Sequence, residues 1–525
     1  MLRALSTWGG VLLSAAVAAL VVQLACQLGP RVAFPWDKFV WAESPFLTDM
    51  LKLDAGLPVY GPPEDTNSFV YAPGMLWTTY ALLGPFGLHL DIRYCRAVAC
   101  LVAVAAACVS AGVACRLAGT AARRRPHLFL TGWGIGILLV FRSYNGEIPH
   151  PDNLHILHSL TVLALCLKAL EQPTPRLAAA ACAVAGLGIL TKQSGVLAAV
   201  YAPWALYVGG GRGKWGWTGL AGAAGAGVAT AAGGAWFLLR DADARFWTLE
   251  LLSHHPLRPE WLWQTWDNWM PVRRIVLTAL AGIAAAVLWR SPSGAPVRVW
   301  AACFAFVLPA NLAAYCKEGG WTNNLTIADV WLSIPLIAAA AYGTAPAAGA
   351  WAAVGASLFR GSAVLGLLAV VLLYRPVKWE PHPSQYLHCL RLEKAVADDL
   401  AAGRRILVMH GTAILIRNGV RESPLDRTNS YFEMLYARGR VVDRSATAER
   451  IRRGVYDRIY LDGPDHWVGE ELRRTIDSHY RVVREYLPPQ GQGGGEGYDH
   501  GYQDLMVWTV VLERAGAPRE PAPER

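Results

Sequence analysis

Residues 8–28 read WGGVLLSAAVAALVVQLACQL, an apolar run of the length that a membrane-spanning helix needs. A helix requires about 20 predominantly apolar residues to cross the hydrocarbon core of a bilayer. The run follows Met-Leu-Arg, as the apolar part of a signal peptide also would. Because many more apolar runs come after it, we interpret it as an uncleaved first span with its N-terminus in the cytoplasm. The later runs cover residues 72–88, 96–118, 128–142, 154–170, 177–191, 193–208, 218–239, 274–289, 298–315, 326–345, 347–359 and 361–375.

The composition of the 525-residue chain is also that of a membrane protein. Hydrophobic residues make up 54% of the chain and charged residues only 17%, with a mean hydropathy of +0.27, whereas soluble domains carry about 25% charged residues. The basic residues behind the net charge of +9 lie mostly in short loops and in the tail, so we expect no nucleic-acid partner. The ten cysteines lie mostly in apolar runs without metal-binding spacing, and we expect them to be small core residues.

The polar segments between the runs are of two kinds. Short basic segments at 123–125, 209–215 and 290–298 are typical of cytoplasmic loops. If 72–88 and 96–118 both crossed the membrane, the basic segment 123–125 would lie outside. We therefore interpret 72–88, which contains Pro73 and Gly74, as interfacial or re-entrant rather than a full crossing. If 347–359 also fails to cross, about 11 crossings remain and the tail is extracytoplasmic. The longer segments rich in aromatic residues, expected on the outer side, are 29–71, 143–153, 240–272 and 316–325.

A change of composition near residue 377 marks a second domain. Strand patterns at 404–410, 456–461 and 506–512 alternate with helical patterns at 390–402 and 469–479, which indicates a small α/β domain. The predicted fold class is therefore an all-α polytopic membrane protein, of about 11–13 transmembrane helices, with a small C-terminal extracytoplasmic α/β domain. The predicted boundary divides the chain into 1–376 and 377–525.

The loop after the first span carries four acids, Asp37, Glu43, Asp49 and Asp54. A carboxylate held at a lipid–water boundary can act as a general base. The alternative for each acid is a solvated loop residue. The apolar positions between them predict a short amphipathic helix on the membrane surface; they are Phe46, Leu47, Met50, Leu51 and Leu53.

The second outer loop contains EIPHPDNL at 147–154. Asp152 is either the N-cap of the helix that starts at Leu154 or an acid of a site at the membrane face. A divalent metal held by His150 or His155 stays an open alternative, since the spacing is specific for no metal. No metal ligand is assigned.

Several motifs in this order resemble the integral-membrane glycosyltransferases of the GT-C superfamily. They are an acid after the first span, Met50 followed six residues later by Gly56, Tyr71-Ala72-Pro73-Gly74-Met75-Leu76, Asp152 opening a span, and Gly186-Leu187-Gly188-Ile189-Leu190-Thr191-Lys192. The nearest families are the protein O-mannosyltransferases, the aminoarabinose transferases and related bacterial enzymes. The resemblance covers about residues 1–345.

The resemblance implies that a sugar moves from a polyprenyl-phosphate carrier to an acceptor glycan, lipid or protein at the extracytoplasmic face. It implies Glu43 as the catalytic base and Asp152 as the second catalytic carboxylate. The family often has an Asp-Glu pair where this chain has Ala42-Glu43. It also often has a lysine before its Pro-Pro-Leu motif, where this chain has no basic residue before Pro73. The donor phosphate must therefore be bound by other cations.

The cations considered for that phosphate are Lys192, Lys317, Arg93 and Arg96. Lys192 lies between two apolar runs, where a charge is costly unless it has a partner; its alternative is snorkelling at an interface. The alternative for Lys317 is a plain turn. The further residues expected to contact substrate are Asp37, Asp49, Tyr71, His150, His255 and Asn323.

We expect a multi-pass protein of the cell membrane, in a bacterial inner membrane with its site facing outside and with membrane lipids as neighbours. Two other functions stay open: a transporter or flippase of lipid-linked sugars, and a non-catalytic membrane scaffold. The acids cluster in outer loops rather than in the middle of spans, which disfavours transport. The residues do not identify the sugar, the acceptor or the stereochemistry.

Overall fold

The structure of the chain is a computed structural model, which describes most of the apolar body and part of the tail. The described residues are 2–37, 40–63, 68–119, 126–141, 146–264, 270–290, 294–317, 323–341, 359–368, 383–409, 411–421, 446–462, 470–486 and 509–515.

The apolar runs form helices, because a helix satisfies the backbone hydrogen-bonding groups of a segment without help from water. Among the described residues, six helices are long and apolar enough to cross a membrane, and four more are apolar but shorter. The predicted polytopic all-α fold is confirmed. The helices are α1 Leu2–Ala33, α2 Val40–Asp54, α3 Gly74–Leu83, α4 Ile92–Leu117, α5 Pro126–Val140, α6 Pro151–Glu171, α7 Pro175–Gly186, α8 Gly188–Thr191, α9 Ala198–Leu239, α10 Ala242–Arg245, α11 Leu251–Ser253, α12 Trp261–Gln264, α13 Met270–Trp289, α14 Gly294–Cys316, α15 Asn323–Ala341 and α16 Phe359–Leu368.

Helix α15 is the most enclosed of the long helices and packs against α4, α5, α13 and α14. Small residues let other helices approach closely, as expected in lipid. A Cβ atom at Gly186 would lie 2.5 Å from the carbonyl oxygen of Gly227, so α7 and α9 touch along their backbones. The apolar body is therefore held together by small residues as well as by large ones.

The segment 72–88 does not form a spanning helix, as predicted. Helix α3 has ten residues, and at about 1.5 Å per residue it reaches only half the thickness of the hydrocarbon core. A 3₁₀ turn at Gly84–Phe86 follows, and Gly87 ends it in the left-handed conformation, with a φ of 67°. Helix α9 is also interrupted, at Gly211 within the predicted basic loop 209–215 and at Gly216 directly after it. Of the run 347–359, residues 347–358 lie outside the described part of the chain.

The tail forms a mixed four-stranded sheet of order β1-β2-β4-β3, in which β1 and β2 are parallel and the other neighbours antiparallel. Three of these strands and two of the helices were predicted, and β3 was missed. Its sequence, YRVVREY, has charged residues at three of its seven positions, and its pairing with β4 is bulged between Val482 and Arg484. The elements are α17 Pro383–Ala401, β1 Ile406–Met409, α18 Thr412–Arg417, α19 Ala446–Arg452, β2 Arg458–Asp462, α20 Glu470–His479, β3 Tyr480–Tyr486 and β4 Thr509–Arg514.

The tail domain packs against the first loop. Phe34 and Trp36 belong to the same apolar cluster as Leu392 and Val396 of α17 and Val408 of β1. The tail thus lies at the end of the helix bundle where the first loop is found.

Candidate functional site

A buried carboxylate, Asp152, is the centre of a polar cluster at this end of the bundle. One of its oxygens accepts a hydrogen bond from Lys192 Nζ at 2.5 Å, and the other accepts one from Asn323 Nδ2 at 2.6 Å. His150 Nδ1 lies 3.1 Å from the second oxygen. Lys192 Nζ also donates to Asn324 Oδ1 at 2.8 Å. The cluster therefore joins the beginnings of α6 and α15 to Lys192.

Lys192 reaches the cluster because the helix breaks at this residue. Its backbone is extended, with φ −160° and ψ 151°, between α8 and a 3₁₀ turn at Gln193–Leu197. The break is tight, since a Cβ atom on Gly188 would collide with the backbone of Gly195 and with the ring of His158. The Lys192 side chain is only 14% exposed. Glycines thus form a break that turns an ammonium group toward a buried carboxylate.

Two tyrosines link the first loop to this cluster. The Tyr60 hydroxyl donates to the Tyr71 carbonyl oxygen at 2.6 Å, and the Tyr71 ring meets the His150 ring edge-on at 4.9 Å. Burial, and secondarily the charge of Asp49, raises the pKa of Tyr60 well above its ordinary value, so its hydroxyl stays protonated. Of the predicted residues, the structure brings Tyr71, His150, Asp152, Lys192 and Asn323 together.

Glu43 and Arg96 form a separate, fully buried ion pair. Arg96 donates to both carboxylate oxygens, at 2.7 and 2.8 Å. Its other N–H groups donate to the carbonyl oxygens of Arg31, Phe34 and Trp36. All five N–H donors of a guanidinium are thereby used, which leaves none for a phosphate in this arrangement. The pair fixes the first loop to α4.

Asp37 contacts the tail domain. Its Oδ2 accepts hydrogen bonds from the Ser44 hydroxyl and from the backbone N–H of Ala413, both at 3.0 Å. In the described structure Asp37 is therefore part of a domain interface.

Arg93 lies at the start of α4, on the surface. Its guanidinium donates to both oxygens of Asp91, which also caps the helix by accepting from the Arg93 backbone N–H at 2.9 Å. The pair is exposed, so it is expected to contribute little to stability.

His255 and Lys317 lie on two segments that run side by side. Leu257 and Lys317 form an antiparallel bridge, and the Arg258 N–H donates to the Cys316 carbonyl oxygen at 2.6 Å. His255 is buried. The segment that joins Lys317 to Asn323 lies outside the described residues.

Sequence reasoning missed several polar residues of this region. Asn324 contacts Lys192, Tyr60 contacts Tyr71, and Arg31 forms a buried ion pair with Glu147 at 2.5 Å. The paired Asn323-Asn324 at the start of an apolar run could have indicated the first of these. The partners of Tyr60 and Arg31 carry no local signal.

Metal binding was left open from the sequence. Within the described ranges, no group of three or more His, Cys, Asp or Glu side chains could hold a metal ion. The polar partners found around Asp152 are an ammonium, an imidazole and an amide, a set suited to holding a carboxylate.

No protein-family model and no curated protein sequence matches the chain. Among solved structures, ArnT from Cupriavidus metallidurans bound to undecaprenyl phosphate is similar over 97% of this chain and 99% of its own, with a TM-score of 0.45 and 15% sequence identity.

Proposed function

We propose that this protein is a membrane glycosyltransferase that moves a sugar from a polyprenyl-phosphate carrier to an acceptor at the extracytoplasmic face. The observation that carries the proposal is the Asp152–Lys192 pair, an almost buried ammonium and carboxylate at a break between apolar helices. Ionisable groups in such positions are costly and mark functional sites by default. The opposite charges offset this cost only in part.

The two groups suit the chemistry of the donor. As the bond between the sugar C1 and the phosphate oxygen breaks, negative charge gathers on the leaving polyprenyl phosphate. A nearby ammonium stabilises that charge. In the proposal Lys192 contacts this phosphate, and Asp152 holds Lys192 in place together with Asn324. Asp152 accepts from Asn323 as well, so it stays positioned when Lys192 turns toward the donor.

The acceptor hydroxyl must lose its proton as its oxygen bonds to C1, and a first-loop carboxylate takes that proton. We propose Glu43 as this base, with Asp49 as the alternative. Glu43 is paired with Arg96, so its side chain must turn from this guanidinium to the acceptor while the loop backbone keeps its place. Asp49 lies on the same helix, close enough to Tyr60 to affect its pKa. The products are the glycosylated acceptor and the polyprenyl phosphate.

The test is transfer from a panel of radiolabelled polyprenyl-phosphate sugars by the purified protein. We expect label in a product with the wild type, and a loss of turnover in Asp152→Asn and Lys192→Met. The matched control is Lys214→Met, since Lys214 lies in the predicted cytoplasmic loop 209–215 and, among the described residues, donates to the Leu170 carbonyl oxygen. Hydrolysis or transfer that is equal in all four proteins would contradict the proposed site.

A further inference from the structure

The contact between the tail domain and the first loop is centred on Ser44. Its hydroxyl oxygen accepts hydrogen bonds from the backbone N–H groups of Gly411 at 2.7 Å and Thr412 at 3.2 Å. In return, the Thr412 hydroxyl donates to the Ser44 carbonyl oxygen at 2.9 Å. Ser44 and Thr412 are fully buried. These bonds are therefore shielded from water. A buried donor or acceptor that loses its partner cannot bond to water instead, so breaking one of these bonds costs free energy.

Asp37 extends the contact from the same loop. It accepts from the Ser44 hydroxyl and from the Ala413 N–H, so one carboxylate joins Ser44 to the first turn of α18. Gly411 allows the approach, because its φ of 125° is one that residues with a Cβ rarely adopt. The turn at 411–413 is shaped to receive the loop.

A second group of contacts lies beside the first. The Trp36 indole N–H donates to Glu393 at 2.9 Å, and Arg417 stacks over the Trp36 ring at 5.4 Å. Arg417 also donates to Glu393 at 2.9 Å. The tail thus contacts the loop at two points, Trp36 and Ser44. Two points of contact restrict the rotation of the loop as well as its distance from the tail.

The same loop is held from the other side by Arg96. This guanidinium binds the carbonyl oxygen of Trp36 and the carboxylate of Glu43, the residue directly before Ser44. The loop therefore lies between α4 and the tail domain: Glu43 is bound to Arg96 of α4, and the next residue, Ser44, is bound to the tail. Any shift of the turn at 411–413 is passed to Glu43 through a single peptide unit.

We propose that the tail domain is a positioning element of the site, in which Thr412 and Ser44 set the place of Glu43 in the first loop. The effect on turnover rests on the proposed function, whereas the coupling between tail and loop does not. Thr412 is a positioning residue in this scheme, since it acts only through Ser44.

The experiment compares Thr412→Val, which removes the hydroxyl, with Thr412→Ser, which keeps it. Hydrogen exchange is measured on the full-length protein without substrate. In Thr412→Val we expect exchange of amides in residues 34–50 to rise about tenfold, the scale of one lost buried hydrogen bond. Thr412→Ser should stay near the wild type. The control is Arg453→Ala, which removes an exposed ion pair with Glu449 elsewhere in the tail.

Turnover gives the second readout. We expect kcat of Thr412→Val to fall roughly tenfold to a hundredfold, as for a misplaced catalytic group, while the KM for the donor stays constant and Thr412→Ser recovers the rate. A purely structural role would lower thermal stability without this split between kcat and KM.

Two outcomes overturn the proposal: faster exchange confined to the tail in Thr412→Val, or a Thr412→Ser protein that behaves like Thr412→Val. If the wild type transfers no sugar but Thr412→Val still loosens residues 34–50, the proposed function fails and the coupling stands. Should Thr412→Val not fold, Ser44→Ala gives the same comparison from the loop side, read out on the amides of Gly411 and Thr412.

Discussion

Replacing Lys192 by methionine tests the candidate site most directly. Methionine keeps most of the length of the side chain and removes the ammonium, which contacts Asp152 at 2.5 Å and Asn324 at 2.8 Å. A charge-assisted hydrogen bond to a phosphate contributes roughly 1.5–3 kcal/mol. At about 1.4 kcal/mol for each factor of ten, affinity for the donor should fall about tenfold to a hundredfold.

The same change also removes a partner from a buried carboxylate. Breaking a buried ion pair typically costs about 3–5 kcal/mol, because one charge is left uncompensated. Asp152 keeps the amide of Asn323 and the nearby ring of His150, so we expect the loss of stability to lie at the lower end of that range. Lys192→Met should therefore lower both donor affinity and the unfolding temperature.

The double variant Asp152→Asn/Lys192→Met separates these two effects. It removes both charges, so its unfolding temperature should recover toward that of the wild type, while donor affinity stays low. Binding is measured with undecaprenyl phosphate, which has the carrier chain and phosphate of such a donor without the sugar, and the purified protein in lipid nanodiscs. Stability is measured by thermal unfolding of the same samples. Lys317→Met, in the loop that pairs with Leu257, and Lys214→Met, in the predicted cytoplasmic loop, are measured alongside.

Unchanged affinity for undecaprenyl phosphate in a folded Lys192→Met protein would refute the proposed role of this lysine. If affinity falls only in Lys317→Met, the phosphate is bound by the loops at His255 and Lys317. If affinity recovers in the double variant together with stability, Lys192 acts only as a structural partner of Asp152.

Three further predictions concern the base, the topology and the tail. Glu43→Gln should lower turnover by roughly 10² or more, the scale of a lost general base, with donor affinity kept; near-normal turnover would transfer the role to Asp49, Asp37 or Asp152. A single cysteine at position 124, outside the described residues, should resist an impermeant reagent in intact cells, and labelling there would reverse the topology. Burial, and secondarily the charge of Arg391, lowers the pKa of His388 to about 4. Above pH 6.5, the ordinary pKa that applies to the unfolded chain, His388 is neutral in both states and the stability of the tail is at its full value. As the pH falls from 6.5 toward 4, the unfolded chain takes up a proton that the folded tail does not, so stability is lost. The free energy of unfolding should fall by up to about 3 kcal/mol over this range, and this loss should be absent in His388→Gln.

The sequence by itself determined the fold class and the positions of the main breaks. Apolar runs of spanning length leave helices as the available structure, and Pro73, Gly84 and Pro85 rule out a straight crossing at 72–88. Lys192 stood out for the same kind of reason, since a charge between two apolar runs needs a partner. Such signals are local, and each can be found within some 20 residues of chain.

Only the tertiary structure decided which polar groups meet. Lys192 pairs with Asp152 across 40 positions, Arg96 with Glu43 across 53 and Thr412 with Ser44 across 368. Glu43 and Asp37 looked alike as loop acids, yet one is enclosed by Arg96 and the other ties the tail to the loop. A hydrogen bond depends on distance and direction between atoms, and periodicity along the chain fixes neither for residues on different elements. The packing of α4, α6, α15 and the tail around the first loop supplies them.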